Sequence, residues 1–243
     1  MGNVLIISGA PKTGKTHIGA SLARFPGMIK PPFFSSRQKG QGEIDGVDAI
    51  FKTRQDIEQM KQSPSEYLVT STKNNLIALS IAQLISITRG ERACGCLIVP
   101  PELGAQLAMH EALSSNPRII TVFISPASLA TVVSMKLRGI SRLERFFYRR
   151  FVERDEFIAK DHGKPKSEPD RKYVELLKEQ TMAALRLAHH FQCVIPSPDW
   201  SGHPNWKATP VAGDAGNTLS SVFALLKGQE PKLAEKWPKD LFA

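Results

Sequence analysis

Cysteine is scarce in this 243-residue chain, and its three cysteines fit neither a disulfide framework nor a zinc site. Cys94 and Cys96 form a C-x-C pair and Cys193 stands alone, whereas redox and zinc motifs space their cysteines as C-x-x-C. We therefore expect a reducing, cytoplasmic setting. The chain also lacks an apolar run of the roughly 18 residues that cross a membrane. Its apolar start enters a glycine loop without a basic leader, so neither a membrane span nor a signal peptide is predicted.

Acidic residues are in the minority, since Asp and Glu total 23 against 32 Lys and Arg, which gives a net charge of +9. Such a chain favours anionic partners, namely phosphate, nucleotides, nucleic acid or an acidic surface. With 42% hydrophobic and 23% charged residues, the composition is that of a globular protein and excludes global disorder. The length fits one α/β domain, with room for an inserted lid.

Strand-like and helix-like segments alternate along the sequence. A buried first strand is predicted at 4–8, followed by a glycine loop and a helix at 16–24. The alternation predicts βαβ units and a mainly parallel, doubly wound sheet flanked by helices. Further strands are predicted at 47–51, 67–71, 96–99, 119–124 and 194–195, and further helices at 53–62, 75–88, 102–113, 126–137, 140–157, 171–190 and 218–226. The remaining predictions are a mobile, substrate-facing segment at 25–46, a long loop at 196–217 and a surface tail at 228–243.

The eight residues after the first strand match the phosphate-binding pattern G-x-x-x-x-G-K-[ST] at every defined position. Glycines let backbone N–H groups surround a phosphate, and the N-terminus of the following helix adds a positive dipole. Lys15 is expected to reach the β and γ phosphates of ATP, and the Thr16 hydroxyl to bind Mg²⁺. A bare strand-to-helix turn is the alternative interpretation. The residues predicted to bind ATP are Gly9, Ala10, Pro11, Lys12, Thr13, Gly14, Lys15 and Thr16.

An aspartate at the end of a second strand, which often completes such a Mg²⁺ site, is missing from the sequence. The strands predicted at 96–99 and 119–124 both run into proline-containing turns, and Glu102 is the nearest acid. Two roles are open for Glu102: it assists Mg²⁺ through water, or it is the ordinary first-turn acid of its helix.

The segment from Ser35 to Phe51, SSRQKGQGEIDGVDAIF, carries hydroxyl residues, an arginine, Gly-Glu, Asp-Gly, Asp and an aromatic residue in that order. Together with the glycine loop, the stretch Pro126 to Gly139 and the basic residues after it, this segment resembles the guanylate kinase family over residues 3 to 195. The resemblance implies a P-loop kinase fold in one domain. Its implied parts are a core at 1–32 and 91–137, an acceptor-binding insert at 33–90, a lid at 138–168, and a core return with the tail at 169–243.

The same resemblance implies an acceptor site in the insert. Arg37 aligns with an arginine that grips the acceptor phosphate, a role that suits a planar, permanently charged guanidinium. The implied substrate-binding residues are Ser35, Ser36, Arg37, Glu43 and Asp45.

Several acceptor positions depart from the family pattern. The second phosphate-gripping arginine is replaced by Gly40, two tyrosines by Ala49 and Ile77, and the acid that reads the guanine edge by Val69. The Asp-x-Asp after the next strand becomes Val-Pro-Pro at 99–101. Because valine cannot accept the hydrogen bonds of a guanine edge, GMP is not expected to be the acceptor.

A basic stretch from Lys136 to Arg154 holds seven basic residues and two acids. Spacings of three or four place Arg138, Arg142, Arg145 and Arg149 along one helical face. Lid arginines of this kind stabilise the charge of a transferring phosphoryl group. A solvated basic face and a surface for a nucleic-acid backbone are the alternatives. The predicted catalytic residues are Lys15, Arg138, Arg145, Arg149 and Arg150.

These features predict an ATP- and Mg²⁺-dependent nucleotide kinase, a phosphotransferase acting on a nucleoside or deoxynucleoside monophosphate. Two other functions stay open. One is a kinase that acts on a nucleotide or modified base within DNA. The other is a catalytically silent, guanylate-kinase-like binding module. Nucleotides are thus the expected partners, nucleic acid is a less favoured one, and no membrane partner is expected.

Overall fold

The computed structural model describes residues 3–72, 75–90, 94–161, 171–197, 214–231 and 233–242. Its strands are β1 (Val4–Gly9), β2 (Met28–Ile29), β3 (Phe34–Ser35), β4 (Ile50–Phe51), β5 (Tyr67–Thr72), β6 (Asn75–Ser80), β7 (Cys94–Ile98), β8 (Ile119–Ser125) and β9 (Cys193–Pro196). Its helices are α1 (Lys15–Leu22), α2 (Arg54–Met60), α3 (Ile81–Arg89), α4 (Pro101–Met109), α5 (Glu111–Ser114), α6 (Leu129–Leu137), α7 (Ile140–Asp161), α8 (Arg171–Leu187) and α9 (Asp214–Leu226), with a 3-10 turn at Ala188–His190. Residues 162–168 of the predicted lid and 198–213 of the predicted loop lie outside the described residues.

Five strands form an all-parallel sheet in the order β2-β7-β1-β8-β9. β1 lies in its middle, where Val4 pairs with Gly95 of β7 on one side and with Ile119 of β8 on the other. Every residue of β1 is buried, as expected for a parallel strand with helices over both faces of its sheet. The predicted α/β fold with a parallel sheet is confirmed.

The alternation of side chains along β1 separates the helices into two layers. Leu5 and Ile7 pack with α1 and α9, whereas Val4 and Ile6 pack with α3, α4 and α5. Helices α6, α7 and α8 enclose a further apolar cluster around Phe123 of β8. In the part of the chain described here, none of the helices is both long enough and apolar enough to cross a membrane.

A second, smaller sheet lies within the segment 33–90, with the strand order β4-β3-β6-β5. β3 runs parallel to β4 and antiparallel to β6, and β5 pairs antiparallel with β6. Helix α2 covers this sheet with Ile57, which is fully buried against Leu76 and Ala78. Thr53 and Asp56 begin α2 as a reciprocal capping box, which satisfies backbone N–H groups of its first turn.

The helix predicted at 75–88 is wrong in its first half. Asn75–Ser80 is strand β6, and the helix begins only at Ile81. Ser80 both ends the strand and caps the helix, since its hydroxyl accepts a hydrogen bond from Gln83 N at 3.4 Å. The chain therefore passes from strand to helix without a loop.

Three other sequence predictions need correction. The helix predicted at 102–113 is split because His110 has an extended backbone, with φ −69° and ψ 121°, between α4 and α5. The segment 25–46, predicted as mobile and substrate-facing with no regular element, contributes the short strands β2 and β3. The tail is not confined to the surface, because Trp237 is 3% exposed and Glu235 forms a β-bridge with Val194.

The tail also contacts helix α6 at both of its ends. Glu235 Oε2 accepts a hydrogen bond from Leu129 N at 2.8 Å, at the start of the helix. At the other end, Lys136 Nζ donates to the carbonyl of Leu241 and lies 5.6 Å from the ring centre of Phe242. The tail is thus part of the packed domain.

Candidate functional site

The glycine loop begins where β1 ends, and its backbone turns sharply against the neighbouring strand. Gly9 has φ +143°, and a Cβ at this position would lie 2.2 Å from the carbonyl oxygen of Ile124 in β8. Lys12 and Gly14 have φ +61° and +80°, and Gly14 caps the start of α1. Left-handed residues alternating with others turn successive N–H groups toward one centre, which is the geometry of an anion-binding nest.

The loop is held in this shape from inside and from across the sheet. Thr13 is buried, and its hydroxyl donates to the carbonyl of Ala10 at 2.9 Å. Ser197 donates its hydroxyl to the carbonyl of Thr13 at 3.2 Å, while its own N–H donates to Ser125 at 2.6 Å. Ser197 is not among the residues that the sequence predicted to bind ATP. The available signal was its position directly after β9, at the carboxyl edge of the parallel sheet where the loop also lies.

Lys15 turns its ammonium group into this loop. Nζ donates to the carbonyl of Ala10 and lies 3.4 Å from the hydroxyl oxygen of Thr13. Both partners are neutral, and burial lowers the pKa of the Lys15 ammonium to about 8. A partly desolvated cation that is bonded to neutral oxygens gains strongly from an anion.

The other loop residues lie around this cation. Ala10 is fully buried and Pro11 is partly buried, whereas Lys12 and Thr16 are exposed. Thr16 is the second residue of α1, so its hydroxyl lies at the helix N-terminus beside Lys15. Lys12 extends to α8, where its Nζ lies 5.5 Å from the ring centre of Tyr173.

Glu102 lies at the same edge of the sheet as the loop. It is exposed in the first turn of α4, which begins just after β7, the neighbour of β1. Within the described ranges, no group of three or more His, Cys, Asp or Glu side chains is arranged to hold a metal ion. Ser8, at the end of β1, donates its hydroxyl to the carbonyl of Val99 at 3.0 Å and so joins the ends of the two strands.

Arg37 is paired with Glu43 in the acceptor segment. One guanidinium nitrogen lies 2.5 Å from Glu43 Oε2 and the other bonds Oε1, while the N–H of Gly40 donates to Oε2 at 2.7 Å. These bonds lower the pKa of the Glu43 carboxyl to about 2, and the same pair raises the pKa of Arg37. The guanidinium carbon also lies 5.1 Å from the ring centre of Phe51. The arginine expected to grip the acceptor phosphate is thus already bonded to a carboxylate.

The other candidate acceptor residues bond to backbone groups of the insert. Ser36 Oγ accepts from Leu76 N at 2.8 Å, and Asp45 Oδ1 accepts from Phe51 N at 2.9 Å. Ser35 is 1% exposed and its hydroxyl accepts from the N–H of Arg37 at 3.5 Å. These contacts hold the segment around Arg37 against the small sheet.

The positions that depart from the guanylate kinase pattern are apolar in their surroundings. Ala49 is fully buried. Val69 packs against the cluster formed by Ile57, Leu76 and Ala78. Ile77 packs against a different cluster, which includes residues of β1, α3 and α4.

The arginines predicted for the lid lie at the end of α6 and along α7. Arg138 caps the C-terminus of α6 and is exposed, as are Arg145 and Arg149 on α7. The opposite side of α7 is anchored, because Leu143, Phe147 and Phe151 are buried in the cluster around Phe123. The side chain of Arg150 lies outside the described part of the protein.

Arg145 also borders a groove between α7 and α8. Its Nε donates to the carbonyl of Ser141 at 3.3 Å. The groove has a volume of about 340 Å³ and its walls carry charges of both signs. Its lining residues are Ser141, Glu144, Arg145, Tyr148, Glu175 and Lys178.

Known proteins were compared with this chain by sequence and by structure. No family model matches the sequence, and no curated protein matches it. Among solved structures, guanylate kinase from Anaplasma phagocytophilum matches with a TM-score of 0.53 at 13% sequence identity. The match covers 96% of this chain and 89% of that one. The chain therefore has a guanylate kinase-like fold, as its sequence motifs indicated.

Proposed function

Given this guanylate kinase-like fold, we propose that the protein is an ATP-dependent nucleotide kinase that phosphorylates a nucleoside or deoxynucleoside monophosphate other than GMP. A structural likeness at low identity supports the fold alone. The observation that carries the proposal is the geometry at Lys15, whose partly desolvated ammonium is bonded only to the neutral oxygens of Ala10 and Thr13 among the contacts described for it. This arrangement supports phosphate binding, because an anion would replace neutral partners of a partly desolvated cation.

The donor side of the site would be formed by residues 9–16. The N–H groups of the loop would surround the β phosphate of ATP, and Lys15 would exchange its bond to the Ala10 carbonyl for phosphate oxygens. The bond to phosphate joins two opposite charges, whereas the bond to the Ala10 carbonyl joins a charge to a neutral group. This exchange therefore favours the bound state.

The residues present also fit Mg²⁺. Thr16 presents an exposed hydroxyl at the start of α1. Glu102 lies in the first turn of α4, the helix that follows β7, and β7 is the strand next to β1. Oxygen ligands of this type, with water and phosphate completing the shell, are those that Mg²⁺ prefers. When bound, Mg²⁺ would neutralise part of the phosphate charge. Thr16 would hold it, and Glu102 would act through water.

In phosphoryl transfer the protein mainly positions the two substrates and stabilises the negative charge on the transferring phosphoryl group. Lys15 would hold the transferring phosphate. Arg138, Arg145 and Arg149, which are exposed in the structure, would add positive charge if the helices that carry them close over the loop, and Arg150 is included on sequence grounds. No covalent intermediate with the protein is required.

The acceptor phosphate would bind to Arg37. To do so it must replace the Glu43 carboxylate, which occupies both guanidinium nitrogens. A phosphate offers the same bidentate geometry and more negative charge. Ser35, Ser36 and Asp45 would maintain the segment through their backbone contacts. The apolar surroundings of Val69 and Ile77 are the reason for excluding guanine.

The Arg37–Glu43 pair favours one second candidate, a nucleotide-binding module that does not transfer phosphate. In this alternative the pair is permanent, and Gly40 leaves the acceptor site without its second arginine. ATP would bind to the loop in the same way, but no acceptor would be phosphorylated.

Labelled ATP, a panel of nucleoside and deoxynucleoside monophosphates, and single-stranded DNA distinguish these functions. Transfer to a mononucleotide supports the proposal, transfer to DNA supports a polynucleotide kinase, and ATP binding without turnover supports the silent module. Lys15→Ala should lower the rate by at least about 100-fold, whereas Lys227→Ala, which removes an exposed lysine of the C-terminal part, should not change it. An equal rate in Lys15→Ala and wild type would contradict the proposal.

A further inference from the structure

Lys12 has an unusual backbone conformation. Its φ is +61°, and among the described residues it is the only non-glycine with a positive φ. This left-handed conformation is strained for a side chain with a Cβ and is natural for glycine. The phosphate-loop pattern does not require a lysine at this position. Backbone strain of this kind clusters at functional sites, which directs attention to the side chain of Lys12.

The side chain of Lys12 does not enter the loop as that of Lys15 does. Its Nζ lies 5.5 Å from the ring centre of Tyr173, in the first turn of α8. Both residues are exposed, Tyr173 to 39%. A cation over an exposed aromatic ring is weakly bound. The ammonium of Lys12 is therefore held beside the loop by a contact that an anion can readily replace.

Two ammonium groups thus flank the same loop at different depths. Lys15 is partly buried and bonded to the carbonyl of Ala10. Lys12 is exposed, on the outer side of the loop that faces α8. In a bound nucleoside triphosphate, the terminal phosphate carries the greatest charge and extends farthest from the nucleoside. The ammonium of Lys12, on the exposed side of the loop, is suited to contact that phosphate from outside, while Lys15 reaches it from within the loop.

We propose that Lys12 is a second phosphate-binding cation, which leaves the ring of Tyr173 to contact the terminal phosphate of a bound nucleoside triphosphate. The consequence is a preference for triphosphate over diphosphate. The ring of Tyr173 keeps the unbound Lys12 beside the loop, and giving up this weak contact costs part of the binding free energy. This inference rests on the proposed binding of ATP to residues 9–16.

Calorimetric affinities for a non-hydrolysable ATP analogue and for ADP test this inference. In Lys12→Ala, affinity for the ATP analogue should fall by at least about tenfold, the usual effect of losing a charge-assisted bond, while affinity for ADP falls by less than about threefold. Lys12→Arg should retain the preference for triphosphate. Lys227→Ala is the matched control and should bind both nucleotides as the wild type does.

Variants at Lys12 and Tyr173 separate effects on binding from effects on folding. Lys12→Gly should lose the triphosphate preference as Lys12→Ala does, yet keep a melting temperature at or above the wild-type value, because glycine adopts a positive φ without strain. Tyr173→Leu should increase the ratio of the affinity for the ATP analogue to that for ADP by about threefold, because Lys12 then has no cation–π contact to give up, and Tyr173→Phe should leave the ratio unchanged.

The outcomes distinguish failure of this inference from failure of the proposed function. Wild-type protein that binds neither nucleotide overturns both. Wild-type protein that binds the ATP analogue, together with a Lys12→Ala variant that keeps its preference for the analogue over ADP, overturns the role of Lys12 alone. Equal losses of affinity for ATP analogue and ADP in Lys12→Ala also overturn it, because they indicate a general effect on the loop.

Discussion

Replacing Gly9 by alanine should destabilise the whole domain. The added Cβ would lie 2.2 Å from the Ile124 carbonyl oxygen and 2.8 Å from the Ile124 nitrogen, whereas real Cβ atoms essentially never approach closer than 3.0 Å. Both neighbours are backbone atoms of β8, and Gly9 pairs with Ile124 in the sheet. Relief therefore requires β1 and β8 to separate by close to an ångström, in the middle of a buried sheet.

Overpacking and backbone strain both contribute to the cost of this change. An overpacked core costs about 1–3 kcal/mol, and a left-handed backbone adds about 1 kcal/mol or more for a residue with a Cβ. We expect Gly9→Ala to lose about 3 kcal/mol of unfolding free energy. For a chain of this length, that corresponds to a fall of roughly 6–12 °C in melting temperature.

Thermal unfolding followed by circular dichroism measures this loss. Gly228→Ala is the matched control, because Gly228 also has a positive φ, +67°, but nothing lies within 4 Å of an added Cβ. The control should show the backbone strain alone, about 1 kcal/mol. If Gly9→Ala is no less stable than Gly228→Ala, the close approach of the loop to β8 has been misjudged.

Two other predictions concern a titration and the tail. Burial lowers the pKa of Lys15 to about 8 in the folded protein, against 10.5 for an ordinary lysine. Between these pH values the unfolded chain binds more protons, so the free energy of unfolding should rise as the pH increases from 8 to 10.5. Between pH 8 and pH 10, the free energy of unfolding measured in urea should rise less in Lys15→Met than in the wild type. An equal rise in the two proteins would refute the lowered pKa of Lys15. Trp237→Ala should lower the free energy of unfolding by about 3–5 kcal/mol in the same assay, because Trp237 is 3% exposed. Trp237→Phe should lower it less. A loss under about 1 kcal/mol for the alanine variant would mean that the tail is not part of the core.

Secondary structure could be predicted from the sequence where a segment contains a single element and therefore a single pattern of apolar residues. β1 is an apolar run of a length typical of strands, and it stands before a glycine turn. The region 75–88 combines two elements in one apolar run, because Ser80 ends β6 and caps α3. Leu76, Leu79 and Leu84 then have near-helical spacing, although Leu76 and Leu79 belong to a strand. β2 and β3 have two residues each, too few to show any periodicity.

The phosphate loop could be predicted residue by residue because its geometry is local. The partners of its residues could not always be predicted, because the chain path sets them. The hydroxyl of Ser197 reaches Thr13 across 184 positions of sequence. Arg37 and Glu43 were both expected to bind substrate, but the chain turns between them and the two side chains bond to each other.

The central position of β1 has a consequence for synthesis of the chain. Val4 pairs with Gly95 and Ile119, so its neighbours are translated roughly 90 and 115 residues later. At about 5–20 residues per second, the first neighbour follows after roughly 5 to 20 s. Throughout that interval, the apolar strand and the loop after it have no sheet to join. The centre of the parallel sheet therefore forms only after β7 and β8 have been synthesised, and the nascent β1 is unpaired until then.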